Sequence, residues 1–197
     1  MDYIYNSLDE VVCEAGRLMK LSKKELEGIS EDSILRLFCE AERLIISKTQ
    51  ELADTLGFYK LKSVRLVCLW WNYRLGDCDS YGKIRINFKT LFGCECACVI
   101  SVLVHELCHT EIPNHTKEFW TLFEQSAKKV GILSPEYNGW WTTYIKGDNP
   151  YMYKQPWEYH DDLKKYKIIR NKICTFSPGG EYRVKRESHK EIKAQLN

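Results

Sequence analysis

The spacing of apolar positions divides the 197-residue chain into stretches of different period. Leu8, Val11, Val12, Ala15, Leu18 and Met19 share a face at helical spacing and predict a short helix from about Leu8 to Met19. A longer stripe follows at Ile34, Leu37, Phe38, Ala41, Leu44, Ile45, Leu52 and Leu56. Ser30 stands where it would cap that helix, and Gly57 where a left-handed residue would end it. The period then changes. SVRLVCLWW (63–71) is β-branched and aromatic, and KIRINF (83–88) alternates apolar with polar positions, so both predict strands. GDCDSYG (76–82) between them has the Gly, Asp and Ser of a hairpin loop. CVISVLVHELCH (98–109) is apolar on every side and predicts a buried helix. Thr116 is placed to cap a further helix with Phe119, Leu122, Phe123, Ala127 and Val130 on one side and Gly131 at its close. Beyond Leu133 no period is assignable, and SPGG (177–180) marks either a hairpin turn or the start of a tail.

These elements predict an α+β fold: a single domain with a small, mostly antiparallel sheet packed on the buried helix, and the N-terminal helices alongside. A hydrophobic fraction of 44% at this length sustains such a core. The expected organisation is an N-terminal helical region at 1–60, a catalytic core at 61–145, and a C-terminal extension with a basic tail at 146–197. The N-terminus lacks the unbroken apolar run of a signal peptide, and no stretch approaches the roughly 18 apolar residues of a spanning helix. The nine cysteines are therefore expected to stay reduced, and the protein to be cytoplasmic with no membrane partner.

Charge adds one asymmetry. The whole chain carries +2, but Leu163 to Asn197 holds ten Lys or Arg against three acids, a net of +7, which leaves −5 for the residues before it. KYKIIRNK (165–172) and YRVKR (182–186) interleave these charges with apolar residues. Residues 163–197 are thus a candidate nucleic-acid surface, although charge runs are more often solvated faces.

The chemistry concentrates in HELCHTEIPNH (105–115). On a helix, residues four apart lie on one face about 5–6 Å apart at Cβ, so His105 and His109 can aim at one ion. Glu106 is rotated by about 100°, out of the ligand set but within reach of a metal-activated water. A catalytic zinc takes three protein ligands and keeps a position open. Pro113 cannot continue the helix, and a turn at Ile112 to Asn114 would swing His115 back as third ligand. The spacing equals that of H-E-x-x-H-x-x-G-x-x-H, with Ile112 in place of the glycine. Burying these groups without a partner would be costly, and one zinc ion removes the difficulty. The expected site is therefore His105, His109 and His115 as metal ligands, with Glu106 as the catalytic base, which makes the expected α+β domain zincin-like.

This motif, followed by KEFW (117–120) and preceded by RLGDCDSYGKIRIN (74–87), resembles the YgjP-like zinc metallopeptidases over roughly Val64 to Tyr144. Their pattern is H-E-L-x-H, then N-H, then F-W, with an upstream R-W-G-S-C-S-x-x-G-x-I-x-L-N hairpin. SprT-like and Wss-like proteases, which act on DNA–protein crosslinks, are more distant relatives. The resemblance implies the same three ligands and the same glutamate. Leu75 stands where the family has Trp, and Asp77 where it has Ser.

The expected function is zinc-dependent hydrolysis of peptide bonds in protein or peptide substrates. The alternatives are a nucleic-acid-associated zinc protein using the basic tail, including a crosslink-protease-like one, and a zinc-stabilised domain without activity. An extended substrate is expected to add along the sheet edge near Ile84 to Phe88. Weaker signals are set aside: Cys94, Cys96, Cys98 and Cys108 do not converge easily on a second metal, Met152 is more often core than a Met-turn, and no tyrosine is singled out as an oxyanion donor. The zinc ribbon of SprT-like proteins is absent from a tail whose only cysteine is Cys174.

Overall fold

The first and third helices form as their apolar stripes require, and serine caps open all three. In the computed structural model, which describes residues 5–68, 75–93, 96–132, 160–176 and 182–184, α1 spans Leu8–Lys20, α2 Lys23–Gly28 and α3 Glu31–Leu56. Ser7 and Ser30 accept backbone N–H groups of Glu10 and Ser33, filling the orphan donors of α1 and α3. Gly57 ends α3 at φ +79°, and both its own N–H and that of Phe58 donate to the Ala53 carbonyl. The short α2 is not visible as a periodic stripe, but Ser22 and Glu25 close a reciprocal capping box at its start.

The sheet departs from expectation in an instructive way. β1 (Ser63–Val67) and β3 (Lys83–Asn87) are the two long strands, but they are not the arms of a hairpin. They pair in parallel, Ser63 opposite Lys83 through Val67 opposite Asn87. Gly76–Cys78, placed in the loop by its composition, forms β2 and pairs antiparallel with β3. The strand order is β1-β3-β2, so this sheet is mixed rather than mostly antiparallel. The true turn is only Asp79 to Gly82. The Asp79 carboxylate accepts the N–H groups of Tyr81 and Lys83, and Gly82 takes a left-handed φ of +76°. The last residues of the expected first strand, 69–71, lie outside the described residues.

One face of the sheet is buried and the other open. Val64, Leu66, Ile84 and Ile86 point inward, while Arg65, Lys83 and Arg85 alternate outward into solvent. The covered face packs on α3 and α5 (Cys96–Glu111). α4 (Thr90–Gly93) makes the turn out of β3 and lies against α1. α5 is buried along most of its length, as its apolar composition predicts, and α6 (Lys117–Lys129) packs back on it behind the Thr116 cap.

The C-terminal helix α7 (His160–Ile173) is an element that periodicity did not reveal. Tyr166, Ile169 and Ile173 are buried in the same core as the N-terminal helices. Edge-to-face rings run from Phe38 to Phe88, Phe92 and Tyr166 at centroid separations of 5.0, 4.8 and 5.8 Å, joining α3, the end of β3, α4 and α7. The Tyr166 hydroxyl donates to Asn87 Oδ1 at 3.3 Å. β4 (Cys174–Phe176) then pairs antiparallel with β5 (Tyr182–Val184), and SPGG lies outside the described residues.

Three of the five basic residues of α7 are drawn into the fold, while Lys164 and Lys167 stay exposed. Lys165 Nζ donates to the Met19 carbonyl at 2.7 Å, and Lys172 Nζ to the carbonyls of Glu27 and Ile29 at 3.0 and 2.6 Å. Both cations thus sit at helix C-termini, where orphan carbonyls and the negative dipole end attract them. Arg170 is buried. No helix among the described residues is long and apolar enough to cross a membrane.

Candidate metal centre

α5 carries His105 and His109 on one face and ends at Glu111, just before Pro113. The Ile112 N–H still donates helically to the Cys108 carbonyl, and the chain then reverses through Pro113 and Asn114. Thr116 N–H bonds the Asn114 carbonyl at 2.7 Å and opens α6. Within this bend His115 faces back toward α5. The three Nε2 atoms form a near-equilateral triangle with sides of 3.1, 3.1 and 3.0 Å. All three histidines named from the sequence are therefore brought together, and among the described residues they form the group of metal-ligand type that converges.

The donor set fits a cation. His109 Nδ1 lies 3.1 Å from the Ile112 carbonyl, an acceptor, so Nδ1 carries the proton and Nε2 offers a lone pair to the triangle. Burial holds His105 well below the ordinary imidazole range, with His109 and His115 adding to the effect. Burial likewise lowers His109, opposed by the Ile112 carbonyl. Neutral imidazoles with converging lone pairs repel one another unless a positive charge lies between them. Their separations would let all three nitrogens hold a single zinc ion, whose bonds to imidazole are roughly 2.0–2.1 Å. Ile112, which replaces the glycine of the related spacing, thus contributes through its carbonyl.

Aromatic rings fix the imidazoles from behind. Phe119 lies 5.0, 4.4 and 4.8 Å from the ring centroids of His105, His109 and His115. Trp120 stacks on His115 at 5.3 Å with 15° between planes. Phe119, expected on the apolar face of its helix, and Trp120 are the apolar support of the site. Exposure is graded: His105 is buried, His109 partly so and His115 exposed, so the centre opens on the His115 side.

Glu106 follows His105 on α5 and is buried at 5% exposure. It faces β2. A Cβ built on Gly76 would lie 2.9 Å from both Glu106 Cγ and Oε1. Cys78, two residues along the same strand, has its thiol pushed up to about 12, by burial first and then by the Glu106 charge. The Leu75 carbonyl anchors the start of β2 by accepting the Asn87 N–H at 2.8 Å and the Thr90 hydroxyl at 3.0 Å. Cys108, inside the motif, is fully buried with its sulfur 3.9 Å from Ser126 Oγ, which is a packing role.

The expected substrate edge needs correction. β3 is flanked on both sides by β1 and β2, so Ile84 to Phe88 cannot accept another strand. Among the described residues, the sheet edge beside Glu106 is β2, which pairs with β3 alone.

Comparison with known families agrees with this geometry. A family model described as YgjP-like, metallopeptidase domain, matches residues 14–130, more than half of the chain. No curated protein is detectably similar to the chain. No solved structure is either.

Proposed function

Because the chain belongs to the YgjP-like metallopeptidase family, we propose that it hydrolyses peptide bonds in a zinc-dependent reaction, with His105, His109 and His115 holding one zinc ion and Glu106 acting as general base. Zinc in such a site keeps one position open and supplies Lewis acidity, lowering the pKa of a water toward about 7 and polarising a carbonyl. The observation that carries the reading is the convergence of three Nε2 atoms at 3.0–3.1 Å beside a buried glutamate. A structural zinc would usually fill all four positions with protein ligands.

The side chains then have distinct tasks. The Ile112 carbonyl holds the His109 tautomer, and Phe119 and Trp120 keep the rings from turning. Glu106 takes a proton from the attacking water and later delivers one to the leaving amine. An extended peptide is best accommodated along the edge of β2, where main-chain pairing would lay the scissile bond beside Glu106. The nucleic-acid alternative is weakened because Lys165 and Lys172 are engaged with carbonyls of the fold and Arg170 is buried.

Zinc is favoured by an all-imidazole set, although imidazole also suits copper, nickel and iron. The test is metal analysis of the purified protein together with cleavage of an unfolded protein substrate, comparing wild type with Glu106→Gln. The variant is expected to keep its metal and lose about 10²–10⁴-fold in rate. A zinc-loaded wild type that cleaves no peptide bond, or a variant as active as wild type, overturns the reading.

A further inference from the structure

We propose that Gly76 is a positioning residue for Glu106: its lack of a side chain is what allows the Glu106 carboxylate to lie between β2 and α5. The inference rests on reading Glu106 as the base, but the observation behind it is separate.

A glycine within a strand has two ordinary explanations, an unusual backbone conformation or a close approach. The first does not apply. The glycines with positive φ among the described residues are Gly57, Gly82 and Gly131, so the backbone at Gly76 is one that any residue could adopt. The second does. A Cβ there would lie 2.9 Å from Glu106 Cγ, 2.9 Å from Oε1 and 3.1 Å from Cδ, too close for all three at once.

Neither backbone can retreat easily to relieve that clash. Gly76 sits opposite Ile86, which is fully buried, and the preceding carbonyl of Leu75 is held by both Asn87 and Thr90. The next residue, Asp77, grips Arg85 with both carboxylate oxygens at 2.7 and 3.0 Å from the opposite side of the strand. On the facing helix, Leu107 and Cys108 are fully buried and His105 nearly so, which opposes rotation of α5. The freedom that remains is in the Glu106 side chain itself. A methyl group at position 76 would therefore displace the carboxylate while leaving the three histidines, which converge on one another, where they are.

The test is Gly76→Ala, studied alone and in two backgrounds. Zinc content and zinc affinity should equal those of wild type, while kcat falls about 100-fold with KM little changed, as expected for a misplaced catalytic group. Melting temperature supplies a readout that does not depend on activity. Gly76→Ala should lower it in wild type and in Glu106→Gln, whose amide is the same size, but should lose most of that cost in Glu106→Ala, where the clash is gone. The Glu106→Ala background also provides a folded host should the single variant fail to fold. A wild-type kcat in Gly76→Ala, or the same thermal cost in all three backgrounds, overturns the inference. A wild type with no hydrolysis dependent on Glu106 instead overturns the peptidase reading. The thermal cycle would still decide whether position 76 makes room for that carboxylate.

Discussion

Three imidazole nitrogens within 3.1 Å of one another give the metal-free protein a distinctive acid sensitivity. Burial, more than mutual repulsion, keeps His105 and His109 below the ordinary imidazole pKa. As pH falls through about 6.5, the unfolded chain protonates these residues while the folded state still resists, so folding loses free energy. Above that pH both states are neutral and nothing is lost. The chelator-treated protein should therefore melt at a lower temperature at about pH 5.5 than at about pH 7.5, a window above the range in which most carboxylates titrate. Calorimetry after metal removal measures this, and an acid-insensitive melting temperature would contradict it. The histidines themselves were legible in the sequence because their geometry is local: a helical turn, then a proline-forced bend, places all three. Gly76 was not. Its meaning lies in a contact with a residue 30 positions away, whereas its neighbours Asp77 and Cys78 gave it the look of a loop.

Helices were the readable elements. Stripe, cap and stop signals agree for α3 and α6, the stripe alone marks α1, and each formed close to its expected bounds. α3 offers a clean test of its stop signal. Gly57 sits at φ +79°, and a Cβ there would meet only the Tyr59 ring at 3.9–4.0 Å, so Gly57→Ala isolates the backbone cost. Denaturant unfolding should show a loss of roughly 1–2 kcal/mol with metal stoichiometry unchanged. Strands were readable only as segments. Alternation marks β3, but it says nothing about which neighbour lies on which side or in which direction. At three residues, β2 is too short to show a period at all. The parallel pairing of β1 with β3 follows from β2 taking the adjacent edge, a choice made by the turn at Asp79 to Gly82 and not by either long strand.

At the scale of the molecule, the surprise is how much of the core comes from beyond the family match, which ends at residue 130. α7 brings Tyr166, Ile169 and Ile173 into that core and puts two lysines on the carbonyl ends of α1 and α2. The partners of those lysines lie 143 to 146 residues away, so a composition count could register the charges but not their use. Replacing Lys172 by Met keeps the aliphatic stem and removes the donors. It should cost roughly 0.5–2 kcal/mol in urea unfolding. An unchanged unfolding midpoint would show that α2 ends securely without it. The mixed sheet also orders events in time. Cys78 and Ile84 close over six residues, whereas Ser63 and Lys83 must close over twenty, a difference of roughly 1 kcal/mol in chain entropy. The β2–β3 hairpin can therefore form before β1 arrives. During folding, the strand that faces Glu106 can thus be in place before the sheet's far edge is complete.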